Sequence, residues 1–182
     1  GKEAEIDLIS DGENILVPLI AEHIEKAGVH SGDSMGCMPP RTLSEGEKAK
    51  IVEYGEKIAK ELAYKGLMNI QFVIEDEDVY VLEVNPRASR TVPIVSKVTD
   101  VPMVQIATKL LLGKYNLPDV CEQTGLLPEL PYHVVKYPVF STFALSGLDS
   151  KLGPEMKSTG EGIAIGQTIA ESFAKSFSYL GR

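Results

Sequence analysis

Glu83-Val84-Asn85-Pro86-Arg87-Ala88-Ser89-Arg90-Thr91 follows directly on the apolar run Val79-Tyr80-Val81-Leu82, so that a strand delivers a carboxylate, an amide and two guanidiniums to one corner. Side chains alternate faces along a strand, which puts Glu83 and Asn85 on one face and Leu82 and Val84 on the other. Pro86 has no N–H for a sheet ladder and ends the strand, leaving Arg87 and Arg90 in a loop. Hard divalent cations such as Mg²⁺ take oxygen ligands, few from protein and the rest from water and nucleotide phosphates. Glu83 and Asn85 meet that demand, and a planar guanidinium forks onto phosphate oxygens. Taken alone, E-x-N-x-R is equally a solvated ion pair at a sheet edge.

A partner strand sharpens the choice. Gly66-Leu67-Met68-Asn69-Ile70-Gln71-Phe72-Val73-Ile74 reads as a second strand, and Glu75-Asp76-Glu77-Asp78 reads as the acidic turn of a hairpin. Gln71 then lies beside Glu83 on one condition of parity. The two face each other only if the turn has an odd number of residues or a bulge intervenes.

Four blocks occur in order: A-G-V-H-S-G-D-S (27–34), M-N-I-Q-F (68–72), E-V-N-P-R-A-S-R-T-V-P (83–93) and L-G-P-E-M-K-S-T-G-E (152–161). Together they resemble the large subunit of carbamoyl-phosphate synthetase over nearly the whole chain. The resemblance implies an α+β fold, the C-terminal lobe of an ATP-grasp domain, with an antiparallel sheet flanked by helices. Biotin carboxylase and D-alanine ligase share that fold and an E-x-N near the metal. The A-S-R-T-V-P and G-P-E-M-K-S-T-G-E continuations look like the synthetase, and M-N-I-Q-F, V-H-S-G-D-S and T-V-P look like its second half, which phosphorylates carbamate.

What the resemblance implies about residues follows position by position. Gln71, Glu83 and Asn85 would hold one or two divalent ions, Mg²⁺ or Mn²⁺, with K⁺ as a further candidate. Arg87 and Arg90 would hold carbamate or the transferring phosphoryl oxygens. Gly28, Val29, His30 and Ser31 would line the ATP pocket together with Gln71 and Glu83, and Glu3 would sit near the ribose. His23, in the E-H-I-E context, would be a functionally sensitive group close to the phosphates. For several of these the bland alternatives stand beside the functional ones: a hydrogen-bonded structural histidine, an exposed strand carboxylate at Glu3, and a simple glycine-serine turn at 28–34. The implied activity is that of an ATP-dependent ligase giving carbamoyl phosphate and ADP for arginine and pyrimidine synthesis, with ammonia from a glutaminase small subunit. Two alternatives remain open: a non-catalytic assembly or half-site fragment, and another ATP-grasp carboxylate ligase.

Composition sets bounds. The 182 residues are 43% hydrophobic and 24% charged, enough for one sizeable core. Lys+Arg of 18 against Asp+Glu of 26 gives a net charge of −8, which argues against nucleic acid or an anionic membrane as the main partner. Only Cys37 and Cys121 are present, so a disulfide framework is absent and a reducing cytoplasm is the simplest compartment. No apolar run long enough to span a bilayer and no signal peptide appears. The chain opens on Gly1-Lys2-Glu3-Ala4-Glu5-Ile6-Asp7-Leu8 in strand-like alternation without an initiator Met, and it holds no G-x-x-x-x-G-K-[ST]. The resemblance implies that residues 1–182 are the C-terminal portion of an ATP-grasp domain, inactive alone and completed by the rest of the large subunit, whose N-terminal lobe carries the glycine-rich loop.

Elsewhere the reading is structural. Strands are expected over Glu5–Ser10 and Asn14–Ile20 around Asp11-Gly12, a hairpin signal. Ser44-Glu45-Gly46-Glu47 is a capping box opening a helix to about Lys65, with Ile51, Gly55, Ile58, Ala59 and Leu62 as its buried stripe. Asp100 is expected to cap a helix that runs through Leu112 to Gly113, with Met103, Ile106, Leu110 and Leu111 as its apolar face. Residues 114–137 read as an irregular connection, with short strand signals at Val134–Tyr137 and Val139-Phe140. Residues 162–166 form a strand, and Thr168-Ile169-Ala170-Glu171 opens a last helix to about Tyr179.

Overall fold

In the computed structural model, which describes residues 1–141, 147 and 151–180, the first strand lies in the interior of the sheet. β1 (Lys2–Asp11) buries Ala4, Ile6 and Leu8 in the core beneath the first helix, so alternation turns Glu3, Glu5 and Asp7 to the other face. Asp11 then reverses the chain: its Oδ1 accepts the N–H groups of Glu13 at 2.9 Å and Asn14 at 2.7 Å, and Gly12 takes a φ of 97°. The hairpin forms as expected, but Pro18 interrupts the second strand. It becomes β2 (Ile15–Val17), paired with the end of β1, and β3 (Ile20–His23), which returns to pair with Ala4–Ile6.

A single turn at Ser31–Asp33 leads to β4 (Gly36–Met38). The capping box then starts α1 (Glu45–Glu61), where Ser44 Oγ accepts the Glu47 N–H at 3.2 Å and Glu47 Oε2 accepts the Ser44 N–H at 2.6 Å. Ile51, Gly55 and Ala59 face the sheet. The helix stops short of the expected end because Ala63 adopts a left-handed φ of 44°. Leu62 accordingly leaves the stripe and is 58% exposed.

β5 (Lys65–Glu75) and β6 (Asp78–Asn85) form the acidic hairpin, with Asp76 and Glu77 at φ 48° and 68° as a two-residue turn. α2 (Val92–Thr99) and α3 (Met103–Leu111) follow. Asp100 does not cap α3: it ends α2 in a left-handed conformation, and Pro102 occupies the cap position of α3. Leu111 is 66% exposed, whereas Met103, Ile106 and Leu110 are buried as expected. The 114–137 stretch is less irregular than its composition implies. It contains α4 (Leu117–Val120), β7 (Gly125–Leu126) and the start of β8 (His133–Val139), a full sheet member that joins the two short strand signals and leaves out Phe140. β9 (Gly160–Gly166) and α5 (Ile169–Leu180) complete the described elements.

The sheet order β6-β5-β1-β3-β4-β8-β9 is antiparallel throughout, with β2 joined to β1 and, in parallel, to β7. α1 covers one face over Ile6, Leu8, Ile70 and Phe72. α2 and α3 cover one end of the other face over Ile9 and Leu67. The α+β arrangement of an antiparallel sheet flanked by helices is thus present. Its consequence is that the second face beyond α2 and α3, floored by Glu3, Glu5, Asp7, Asn69 and Gln71, is left for something other than a helix.

Candidate functional site

The register of the acidic hairpin decides the site. From the turn inward, Glu75 faces Asp78, Ile74 faces Val79, Val73 faces Tyr80 and Phe72 faces Val81; then the register shifts, and Gln71 faces Glu83, Ile70 faces Val84 and Asn69 faces Asn85. Leu82 is the extra residue of a β-bulge. The turn has an even number of residues, so without the bulge Gln71 would face Leu82. The parity condition is met by the bulge, and it carries a correction: Leu82, expected on the face opposite Glu83, lines the same pocket as Glu83.

Two adjoining pockets open on this face, with volumes of about 270 Å³ and about 400 Å³, and share His30, Ser31, Gln71 and Glu83. Asn85, Arg87 and Arg90 line the first, and Glu3, Gly28 and Val29 line the second. Every residue expected from the resemblance therefore borders one of the two, except His23. A larger pocket of about 460 Å³ beside Gly1, Arg41 and Glu75 holds His23 and none of the others.

His23 stands beside Glu3 on the same sheet face with its side chain fully buried, Nδ1 3.3 Å from Glu3 Oε1 and Nε2 3.6 Å from Glu5 Oε1. Each ring nitrogen faces a carboxylate oxygen, an environment that suits the imidazolium, which carries a proton on both. Burial by itself favours the neutral ring, but Glu3 and Glu5 outweigh it and raise the pKa to about 9. Glu5 is buried too, which favours protonation; Lys136 and His23 override this and hold it well below the usual carboxylate range. Glu3 is 2% exposed, so it is no free strand carboxylate. Asp7 differs: burial first, and the Glu5 charge second, push it up to about 7.

Several residues of the site escaped the sequence reading. Lys136 of β8, 1% exposed, donates to the Ser31 carbonyl at 3.0 Å and lies 3.5 Å from Glu5 Oε1. Arg90 Nε meets Glu161 Oε1 at 2.8 Å, and its Nη1 donates to Ser158 Oγ at 3.0 Å. The 28–34 loop is clasped by the later signature segment: Asp33 accepts the backbone N–H groups of Lys157 at 2.8 Å and Ser158 at 2.7 Å, and the His30 N–H donates to the Gly153 carbonyl at 2.8 Å. That clasp is a role for L-G-P-E-M-K-S-T-G-E, built mostly from its backbone. The one available signal for the floor was the charged alternation Glu3-x-Glu5-x-Asp7 in an otherwise apolar strand.

Among the described residues, no three His, Cys, Asp or Glu side chains form a metal cluster. The donor set at the bulge is one carboxylate and two amides. Gln71 donates its amide nitrogen to Ser31 Oγ at 3.3 Å, so its acceptor oxygen is the free end, and Asn85 Oδ1 accepts from Arg87 Nη2 at 3.3 Å. Asn85 Nδ2 is buried without a partner, an unspent donor beside two arginines. Such a set suits a hard divalent ion that takes its remaining ligands from water and from an anionic phosphate chain.

Residues 1–119 match the protein family described as "Carbamoyl-phosphate synthase L chain, ATP binding domain". The chain belongs to this family. Over 177 residues it is 62% identical to the carbamoyl phosphate synthase arginine-specific large chain of Geobacillus stearothermophilus, a match that covers 97% of this chain and 17% of that relative. The chain thus spans about a sixth of the length of the curated relative. Among solved structures, it resembles urea carboxylase from Kluyveromyces lactis with a TM-score of 0.71 at 15% identity, covering 97% of this chain and 18% of that one. A biotin carboxylase–β,γ-ATP complex from Campylobacter jejuni gives a TM-score of 0.69 at 17% identity, covering 96% and 44%. At these identities the structural likenesses establish the fold, an α+β antiparallel sheet of the ATP-grasp kind, and the family match establishes an ATP-binding domain of the carbamoyl-phosphate synthase large-chain family.

Proposed function

We propose that this chain is one wall of the ATP site at which the second half of a carbamoyl-phosphate synthetase large subunit phosphorylates carbamate. The observation that carries the reading is the bulge that sets Gln71 opposite Glu83 with Asn85, Arg87 and Arg90 around the same pocket. In the reaction a carbamate oxygen attacks the γ-phosphorus of ATP, giving carbamoyl phosphate and ADP. Phosphoryl transfer of this kind depends on positioning and charge neutralisation and uses no covalent enzyme intermediate.

Gln71, Glu83 and Asn85 would hold Mg²⁺ or Mn²⁺, which when bound neutralises phosphate charge. Arg87 and Arg90 orient carbamate and the transferring oxygens, stabilising charge that develops in the transition state. Gly28, Val29, His30 and Ser31 border the nucleotide, with Glu3 toward the ribose. His23 serves by holding Glu3 and Glu5 ionised and in place. K⁺ is a further candidate ion on this carboxylate-rich floor. The remaining large-subunit segments supply the opposing lobe, and a glutaminase small subunit supplies ammonia, in a cytoplasmic enzyme feeding arginine and pyrimidine synthesis. The relative's arginine-specific name supports the first of those routes, and no described helix is long and apolar enough to cross a membrane.

The test is Glu83→Gln in the complete large subunit, assayed for ATP-dependent carbamoyl phosphate synthesis. A loss of about 10²-fold or more is expected from removing the only carboxylate of the set, with circular dichroism unchanged. Near-normal turnover refutes the role. Offering simple carboxylic acids in place of carbamate separates this reading from another ATP-grasp ligase.

The half-site reading is favoured by one observation, that the chain spans about a sixth of the length of the curated relative. It is compatible with the first: calorimetry with Mg²⁺ and ATP on this chain alone is expected to show weak binding and no phosphoryl transfer.

A further inference from the structure

We infer that Asp7 is a positioning residue of the phosphoryl-transfer site, acting through Ser89 to hold the loop that carries Arg87 and Arg90. The inference rests on the function proposed above and assigns a role to a residue outside the expected set. Asp7 lies on β1, 3% exposed, beneath the pocket and not among the residues that line it. Its Oδ2 accepts the Ser89 hydroxyl at 2.8 Å, and its Oδ1 accepts Asn69 Nδ2 at 3.3 Å. Ser89 Oγ in turn accepts the Thr91 N–H at 2.9 Å. The hydroxyl of the same threonine, Thr91 Oγ1, donates to Glu5 Oε1 at 3.2 Å.

The Thr91 contact is informative because Thr91 is the N-terminal cap of α2, where a threonine hydroxyl ordinarily accepts a backbone N–H of the first turn. Here its own backbone is helical, φ −77° and ψ −20°, and it makes no such cap. Its hydroxyl is turned toward the sheet instead, which ties the loop to β1. Two neighbouring carboxylates of one strand therefore hold residues 89 and 91.

The arginines flank the anchor at 87 and 90. Arg87 is exposed, and its hydrogen bonds stay within its own loop, to Asn85 Oδ1 and the Ala88 carbonyl. Arg90 is tied on its far side to Glu161 and Ser158. On the sheet side, the Ser89–Asp7 and Thr91–Glu5 bonds set how far both guanidiniums reach into the pocket. Transition-state stabilisation by a guanidinium is steep in position, and a displacement of about 1 Å can cost on the order of 10²-fold in rate. The second pocket is bordered by Glu3, four residues before Asp7 on the same strand, and by residues 28–31 of another segment, and the 87–91 loop does not line it.

The test is a double-mutant cycle in the complete large subunit: Asp7→Ala, Ser89→Ala, and the pair together, with Ser89→Thr to restore the hydroxyl. Each single variant is expected to lower kcat for carbamate phosphorylation about tenfold or more while KM for ATP stays within about twofold. The double variant should be no slower than the slower single, and Ser89→Thr should recover most of the rate. Exchange of the Thr91 amide, measured by hydrogen–deuterium exchange, should quicken in both single variants. Additive losses in the cycle, a rise in KM without a fall in kcat, or unchanged exchange at Thr91 each overturn the inference. If Asp7→Ala does not fold, Ser89→Ala against Ser89→Thr decides the same question. Wild-type turnover and Glu83→Gln report separately on the proposed function, so its failure is distinguishable from failure of the cycle.

Discussion

Raising the pH from 6.5 to 9 should weaken the folded chain through one residue, His23. Its imidazole is clamped between Glu3 and Glu5 and keeps its proton to about pH 9, against an ordinary value of 6.5. The sign follows from which state binds the proton. Below pH 6.5 both folded and unfolded histidine are charged, and the contribution of the clamp is fully present. Between 6.5 and 9 the unfolded chain has lost the proton and the folded chain retains it, so stability falls as pH rises. At about 1.4 kcal/mol per unit, a shift of this size corresponds to a loss of about 3 kcal/mol across the window.

Neighbouring groups leave the upper part of that window to His23. Asp7, pushed up to about 7, acts with the same sign and overlaps the lower end, so the change between pH 7.5 and 9 is the part that reports on His23. Cys37, pushed up to about 12, enters only above pH 9. The assay is urea unfolding followed by circular dichroism, since the chain lacks tryptophan, at pH 6, 7.5 and 9 for the wild type and His23→Gln. The variant should be less stable at pH 6, where two buried carboxylates lose their shared cation, and should lose the slope. Parallel curves for the two proteins would falsify the clamp, as would an NMR titration of His23 centred near 6.5.

Other outcomes follow from particular contacts. Asp33→Ala removes the acceptor of two backbone N–H groups and should cost roughly 3 kcal/mol, with segment 151–159 becoming sensitive to limited proteolysis; unchanged cleavage would show that the loop stands without the clasp. Gly162→Ala places a Cβ about 2.3 Å from the Tyr137 ring, so a destabilisation of about 1–3 kcal/mol is expected from overpacking, and a neutral melting temperature would mean that the ring moves aside freely. Ser44→Ala removes the hydroxyl half of the α1 capping box and leaves the Glu47 carboxylate on the backbone N–H of residue 44, and should lower stability by about 1 kcal/mol in chemical denaturation.

Local signals were dependable where neighbours in sequence are neighbours in space. Ser44 and Glu47 are one helical turn apart, so their reciprocal cap was visible from spacing. The Asp11-Gly12 reversal was visible for the same reason, and so was the acidic hairpin. Misreadings arose where one residue could serve two elements: Asp100, expected to start α3, instead ends α2 with a φ of 58°, and Leu62 and Leu111 lie just beyond the reach of the core. Within the 114–137 stretch, residues 133–137 lack a simple alternation because β8 lies inside the sheet, between β4 and β9, and carries buried Lys136 within it.

What the chain's order of residues determined unaided was the family, the hairpin carrying Gln71 and Glu83, and the loop carrying both arginines. Tertiary structure decided whether those groups meet. A bulge is a one-residue event without compositional signature, yet it alone puts Gln71 opposite Glu83. The floor and roof are decided at longer range still: Asp33 and Ser158 are 125 residues apart, and Thr91 and Glu5 are 86 apart. Strand order, set by how the apolar faces of the sheet are covered, brings such groups together. A charge read from sequence acquires its partner, and its protonation state, only when that packing is complete.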